Sequence, residues 1–414
     1  MKRAASALLS LLVLMLLAGC GSTPAANPGP VTSGVTTRAF VSNAGFSSGN
    51  LPASALQIVN FHNDTLLTNQ VTLVGNPQLM ALSPNRATSL VFDASVNELS
   101  IVDNNGETQG GTVNLPDATE SMVILPDSVT AYVAVPNAPA SGQPAGVVEI
   151  VNFTSLAISG HVNVPKARRL ALSHDGKKLL VFSDGSNDIT VINTADNTTT
   201  TVTGGGVLDQ PVGAVFTSDD SIAYVLSCGP ECGGAAASVT PLTMSGQTLG
   251  VPLLLPGGAT VGFLNGSTLY VAGSCGAACP GTTPPFGRLT VVNTSGMSIS
   301  ATVPISDGYH DRIEMTGNNK LYVGARNAAF SNGSTSTCSN ATQGCLSMFN
   351  ISGNTAGISA PQGVVTGMAA ITGRNVVYVC VGGELVIYDT TTDAPQATQI
   401  DIVGQAYDVK QIDQ

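Results

Sequence analysis

One short pattern constrains this chain more than any other feature: apolar, any, apolar, apolar, then Asn or Asp. It reads "LQIVNF" from residue 56, "LSIVDN" from 99, "VEIVNF" from 148, "ITVINT" from 189, "LTVVNT" from 289, "LSMFNI" from 346 and "LVIYDT" from 385, with a degenerate copy, "VTPLTM", from 239. Alternating apolar positions make a strand, and the closing Asn or Asp can cap the turn that follows. Ahead of each copy lies a second strand, often with Tyr-Val, as in "AYVAV" from 131, "LYVAG" from 269 and "VYVCV" from 377. Ahead of that comes a third strand ending in a turn, as in "RLALSHDG" from 169. Its starting points advance by 40 to 55 residues each time, the period of a four-stranded propeller blade.

The units number eight. The first lacks its leading strand, because the pattern begins at "RAFVSN" (38–43), and the last is followed by a surplus strand, "QAYDVKQID" (405–413). If the surplus strand enters the first blade as its innermost member, the ring closes and no sheet edge is left open. The expectation is therefore all-β: an eight-bladed β-propeller of four-stranded antiparallel blades over residues 36–414, with seven blades as the alternative count. Two stacked β-sandwiches would not predict a leftover strand that matches a missing one.

The run "LALSHDGKKLLVFSDGSNDITVINTADNTTTTV" (170–202) resembles YVTN-type propeller repeats, of the general form S-P-D-G, Y-V, V-I-D-T. The resemblance covers roughly 36–414 and is best in blades two, four and eight. Such repeats occur in surface-layer and secreted bacterial proteins, and the wider group is similar to gluconolactonase-type propellers. The resemblance implies a fold strongly and a function weakly. The lack of Trp argues against WD-repeat and quinoprotein propellers.

The N-terminus carries an address. Lys2 and Arg3 precede an apolar run, Ala7 to Ala18, that is shorter than the roughly 20 residues of a membrane-spanning helix. It ends in Leu17-Ala18-Gly19-Cys20, which matches the bacterial lipobox, so residues 1–19 read as a lipoprotein signal peptide with Cys20 as the lipidated residue. Residues 20–35, rich in Gly, Pro, Ser and Ala, read as a flexible tether. Gly21 in place of Asp favours the outer membrane, on either its periplasmic or its outer side. Only 10% of residues are charged, 26 acidic against 15 basic, with no basic stripe for phosphates, which argues against a nucleic-acid binder.

Three cysteine pairs fall in successive blades, each between the Tyr-Val strand and the pattern strand: Cys228 with Cys232, Cys275 with Cys279, and Cys338 with Cys345. In an exported protein such local pairs form disulfides. A zinc site from Cys228, Cys232, Cys275 and Cys279 is the sharper alternative. Cys380, inside an apolar strand, reads as a small buried hydrophobe.

In propellers, the loops into the innermost strands and those between second and third strands share one face, and this chain places its longest loops there. The scarce charges also gather near the innermost-strand starts: Glu120, Arg168, Arg169, His310, Asp311, Arg312 and Asp408 form a candidate channel-mouth site. His310 and Asp311 are neighbours on a strand and so point to opposite faces. No nucleophile elbow, phosphate loop or zinc-protease motif is present. The functional expectation is a lipid-anchored binding or scaffold propeller that presents its loop-rich face to a protein or glycan, without a cofactor. The alternative is a lactonase-like hydrolase with a divalent metal or acid–base group at the mouth.

Overall fold

Each copy of the pattern is the third strand of an antiparallel blade, counted outward from the axis. The computed structural model describes residues 32–45, 54–274, 285–329, 335–402 and 404–414. Among them, eight blades follow one another in chain order, each built from sequence-adjacent strands except the first. Blade 4, for instance, runs Ala167–Leu172, Lys178–Ser183, Ile189–Asn193 and Thr198–Val202 from the axis outward. Blade 5 splits its outer edge into two short pieces, and blade 7 adds a small hairpin between its second and third strands. The alternative count of seven is thereby set aside. Cys20, the signal segment, most of the tether, Cys275 and Cys279 lie outside the described residues.

The surplus strand closes the ring. Ala406–Gln411 pairs antiparallel with Arg38–Asn43 and forms the innermost strand of blade 1. Buried Arg38 reinforces the joint: Nε lies 2.9 Å from Asp413 and Nη1 2.9 Å from Glu107 of blade 2.

Why the second strands are apolar runs follows from where they lie. Among the described residues there are eight apolar clusters, each shared by two neighbouring blades. Successive residues of one strand therefore serve different seams. Leu90 packs toward blade 3 and Val91 toward blade 1, so both faces of the strand exclude water. The outermost strands face solvent and read accordingly, as in "TTTTV" (198–202), with four exposed threonines before a buried Val202.

The turns bear out the capping role of the pattern's Asn or Asp. Asn60, Asp103, Asn152, Asn293, Asn350 and Asp389 each accept the backbone N–H two residues on. In all eight blades the turn from third to fourth strand then holds one non-glycine residue at positive φ, from 43° at Met297 to 59° at Asn197. Asn and Asp tolerate that conformation, whereas Leu156 and Met297 adopt it because the two flanking strands fix the turn.

Candidate functional site at the channel mouth

The innermost strands of six blades carry a register shift near the end that opens on the long-loop face. The offsets fall at Arg168, Val212, Asp311 and Thr366, at Gln78-Leu79, and at Tyr407. Such a bulge leaves a residue out of the ladder and breaks the alternation of faces. As a result Arg168 and Arg169 both reach one carboxylate, and Asp311 and Arg312 contact one another, although strict alternation would part each pair.

The carboxylate is Glu120, just before the innermost strand of blade 3. Its oxygens lie 2.7 Å from Arg168 Nη1, 3.5 Å from Arg169 Nη2 and 3.6 Å from Arg326 Nη2. Arg326 ends the second strand of blade 7, so the three cations come from two blades. Each has a further hold. Arg168 Nε lies 2.6 Å from Asp184, Arg326 Nε lies 2.7 Å from Asp311, and the Arg169 guanidinium carbon stands 6.0 Å from the centroid of Tyr309. Arg326 approaches the same ring at 5.2 Å. Arg312 Nε donates to the Thr366 carbonyl at 2.8 Å.

These groups surround a cavity of about 490 Å³ lined by Glu120, Arg168, Arg169, Gln210, Tyr309 and Arg326, with Phe182 and Pro211 supplying apolar wall. Burial works to raise the Glu120 carboxyl, but Arg169, Arg168 and Arg326 together hold it below its ordinary value. Asp311 is buried more deeply and is likewise held down against that burial by Arg312, Arg326 and Arg169. Both carboxylates are therefore charged at neutral pH.

His310 and Asp408 take other roles. The His310 imidazole is fully buried and turned from the mouth, with Nε2 3.0 Å from the Ser306 carbonyl. Only a protonated Nε2 can donate there, so Nδ1 is bare, and among the described residues it has no partner. Burial pulls this histidine down to about 4, which keeps it neutral. Asp408, also buried, accepts the backbone N–H of Met80 at 3.0 Å and contacts Lys410 at 3.2 Å, tying the closing strand to blade 2. Among the described residues no group of three or more His, Cys, Asp and Glu is arranged to hold a metal ion.

Among the described residues, two disulfides brace the mouth. Cys228–Cys232 closes a 3-10 turn at Gly229–Cys232, and Cys338–Cys345 closes the long loop of blade 7. The first removes two of the four thiolates that a zinc site would need. The second flanks Arg326: the Cys345 carbonyl accepts Ala325 N–H at 2.9 Å, and Asn327 Oδ1 accepts Cys338 N–H at 3.0 Å. Cys380 is a buried free thiol.

Sequence reasoning missed Arg326, Asp184 and Glu231. The first two stand at the mouth end of a second strand, a repeat position that could have been searched for charge. Glu231 sits inside the disulfide turn. Its Oε2 accepts Ser274 N–H at 2.9 Å beneath Gly258, where a Cβ would collide with it. Burial pushes its carboxyl up to about 8, the Ser274 N–H opposing.

A smaller cavity of about 200 Å³ opens at the far ends of the innermost strands, beside Arg86, Glu314, Lys410 and Gln411. Burial pushes Glu314 up to about 7, with Lys410 opposing.

No protein-family model matches the sequence, and no curated protein does. Solved structures do resemble it. Dihydro-heme d1 dehydrogenase NirN, in complex with DHE, matches 91% of this chain and 75% of its own at a TM-score of 0.66 and 8% identity. A functionally unknown protein from Desulfotomaculum acetoxidans matches 91% of this chain and 98% of its own at a TM-score of 0.53 and 13% identity. The likeness is one of fold. NirN is a β-propeller protein, and identities this low carry no activity across.

Proposed function

We propose that this chain is a cell-envelope binding propeller of the YVTN-repeat kind, which receives a ligand or partner on its loop-rich mouth and performs no chemistry there. One observation carries the reading: Arg168 and Arg326 at the mouth are held by carboxylates and Arg169 by the Tyr309 ring, while the nearby histidine is buried, neutral and bonded to the Ser306 carbonyl. A lactonase-like site would need a base or a metal-ligand set facing the cavity, and His310 does not offer its imidazole there. Bulged strands and disulfide-braced loops support a fixed, preorganised surface, which lowers the ordering cost of binding. The lipobox at Leu17-Ala18-Gly19-Cys20 supports lipid anchoring at the bacterial outer membrane.

Turnover and fractionation test the two halves of this reading. The chain is incubated with a panel of lactones, with and without divalent cations. Hydrolysis above the buffer rate that is lost in Asp311→Ala would overturn the binding reading. In a bacterial host, the wild type is expected in the membrane fraction and Cys20→Ala in the soluble fraction.

A further inference from the structure

We infer that Arg168, Arg169 and Arg326 form an oxyanion cage at the channel mouth, which takes a carboxylate or phosphate of a small organic anion in the place now held by Glu120. This rests on the binding reading of the mouth and names the class of ligand.

Charge distribution is the first argument. The chain carries a formal charge of −11, yet four of its nine arginines stand here. Arg168, Arg169, Arg312 and Arg326 face Glu120, Asp184 and Asp311, so the cluster has one positive charge in excess. Arg169 and Arg326 are brought against one ring; burial and Arg169 work against the charge of Arg326, Asp311 and Glu120 restore it, and a ligand anion between the two guanidiniums would act in the same sense as these carboxylates.

Glu120 fills this position poorly. Of the three arginines, only Arg168 is within hydrogen-bonding distance of its carboxylate. Arg169 and Arg326, at 3.5 and 3.6 Å, stand beyond the 2.7–2.9 Å of a charge-assisted hydrogen bond. The Glu120 side chain is also 43% exposed, so it can swing into solvent without burying a charge elsewhere.

The cage does not depend on Glu120 for its shape. With Glu120 gone, Arg168 is still gripped by both Asp184 oxygens at 2.6 and 2.7 Å, Arg326 by Asp311, and Arg169 by the Tyr309 ring. Guanidinium forks match carboxylate and phosphate alike. A volume of about 490 Å³ admits a small molecule, and Phe182, Pro211 and the Tyr309 ring offer its skeleton an apolar wall.

Calorimetric titration of the full chain with citrate, inorganic phosphate and glucose tests the cage. Citrate or phosphate is expected to bind one to one and to weaken with added salt, and glucose is not. Which of the two binds more tightly assigns the head group. Glu120→Gln removes the competing carboxylate and should tighten the anion about tenfold, whereas Arg169→Ala, with an unchanged melting profile, should weaken it by tenfold or more. The opposite response to two changes in one cluster is the signature that a purely structural role would not give. No binding of either anion to the wild type or to Glu120→Gln would overturn the cage, as would binding indifferent to Arg169→Ala. Those failures leave a macromolecular partner for the mouth, whereas lactone turnover would remove the binding reading beneath it.

Discussion

The Tyr378 hydroxyl of blade 8 donates to Asp64 Oδ1 of blade 1, across the seam where the ring closes. The same bond recurs between other neighbours: Tyr132 of blade 3 to Asn197 of blade 4 at 2.6 Å, and Tyr322 of blade 7 to Asp393 of blade 8 at 3.0 Å. In each case the tyrosine belongs to a second strand, and its acceptor is the positive-φ residue of the next blade's outer turn. Chemically, the closing seam repeats the internal ones, with Arg374 added on Asp64.

Removing this bond should therefore cost the same at either kind of seam. Tyr378→Phe and Tyr322→Phe, each removing a donor to a carboxylate, are both expected to lower stability by about 1.5–3 kcal/mol. Asp64→Ala should cost more than either, because it strands both the Tyr378 hydroxyl and Arg374. Denaturant melts of the three variants decide this, and a Tyr378→Phe loss several times that of Tyr322→Phe would mark closure as the weak joint.

Deleting residues 405–414 should do far more than any point change. It removes the innermost strand of blade 1, uncovers the edge of Arg38–Asn43 and leaves Arg38 without Asp413. Loss of cooperative melting and aggregation through the open edge are expected. A truncated chain that melts as sharply as the full one would show that the ring holds without its closing strand.

Stability should respond to pH through two buried groups of opposite sign. Glu231 is raised from 4.5 to about 8 by burial, so its contribution is full below pH 4.5 and is lost as pH rises toward 8. His310 is lowered from 6.5 to about 4, also by burial, so its contribution is full above pH 6.5 and is lost as pH falls toward 4. In melting curves taken from pH 4 to 9, Glu231→Gln should gain on the wild type as pH rises. His310→Gln, which can keep the donor to Ser306, should gain as pH falls. A constant gap between variant and wild type across that range would contradict the assignment.

The Cys338–Cys345 bridge closes a short loop and should contribute about 2 kcal/mol on chain entropy alone. Its greater effect should be local, since the loop it closes bonds to Ala325 and Asn327 on either side of Arg326. In Cys338→Ala/Cys345→Ala, proteolysis within 327–345 should quicken well before global stability falls. Equal protease resistance with and without the bridge would assign loop order to the backbone bonds alone.

The ring was legible in the sequence because each of its rules is local and repeated. The turn cap at Asn60 or Asp389 needs only its own next two residues, and the surplus strand at 406–411 needs only to be counted against a missing one. The mouth was legible in part. Glu120, Arg168, Arg169, Asp311 and Arg312 stood out as scarce charges at equivalent repeat positions, and the structure gathers them. What joins Arg168 to Arg169 is a bulge, which leaves no mark in the pattern of apolar residues. Arg326 reaches Glu120 from a blade four places along the ring, a distance that a period of 40 to 55 residues does not encode. Glu231 was hidden for a different reason: a carboxyl in an exposed-looking Gly and Cys turn gives no sign that the turn folds it inward.

Closure through Ala406–Gln411 also sets a clock on the chain's birth. Blade 1 has its three outer strands by residue 72, yet its axis edge stays open until residues 406–411 leave the ribosome. At 5–20 residues per second, that interval lasts roughly 20–70 s. Throughout it the inner edge of Arg38–Asn43 is free to take any passing strand. Whatever guards the newborn chain against its neighbours must act over that span, which only the six residues of the closing strand bring to an end.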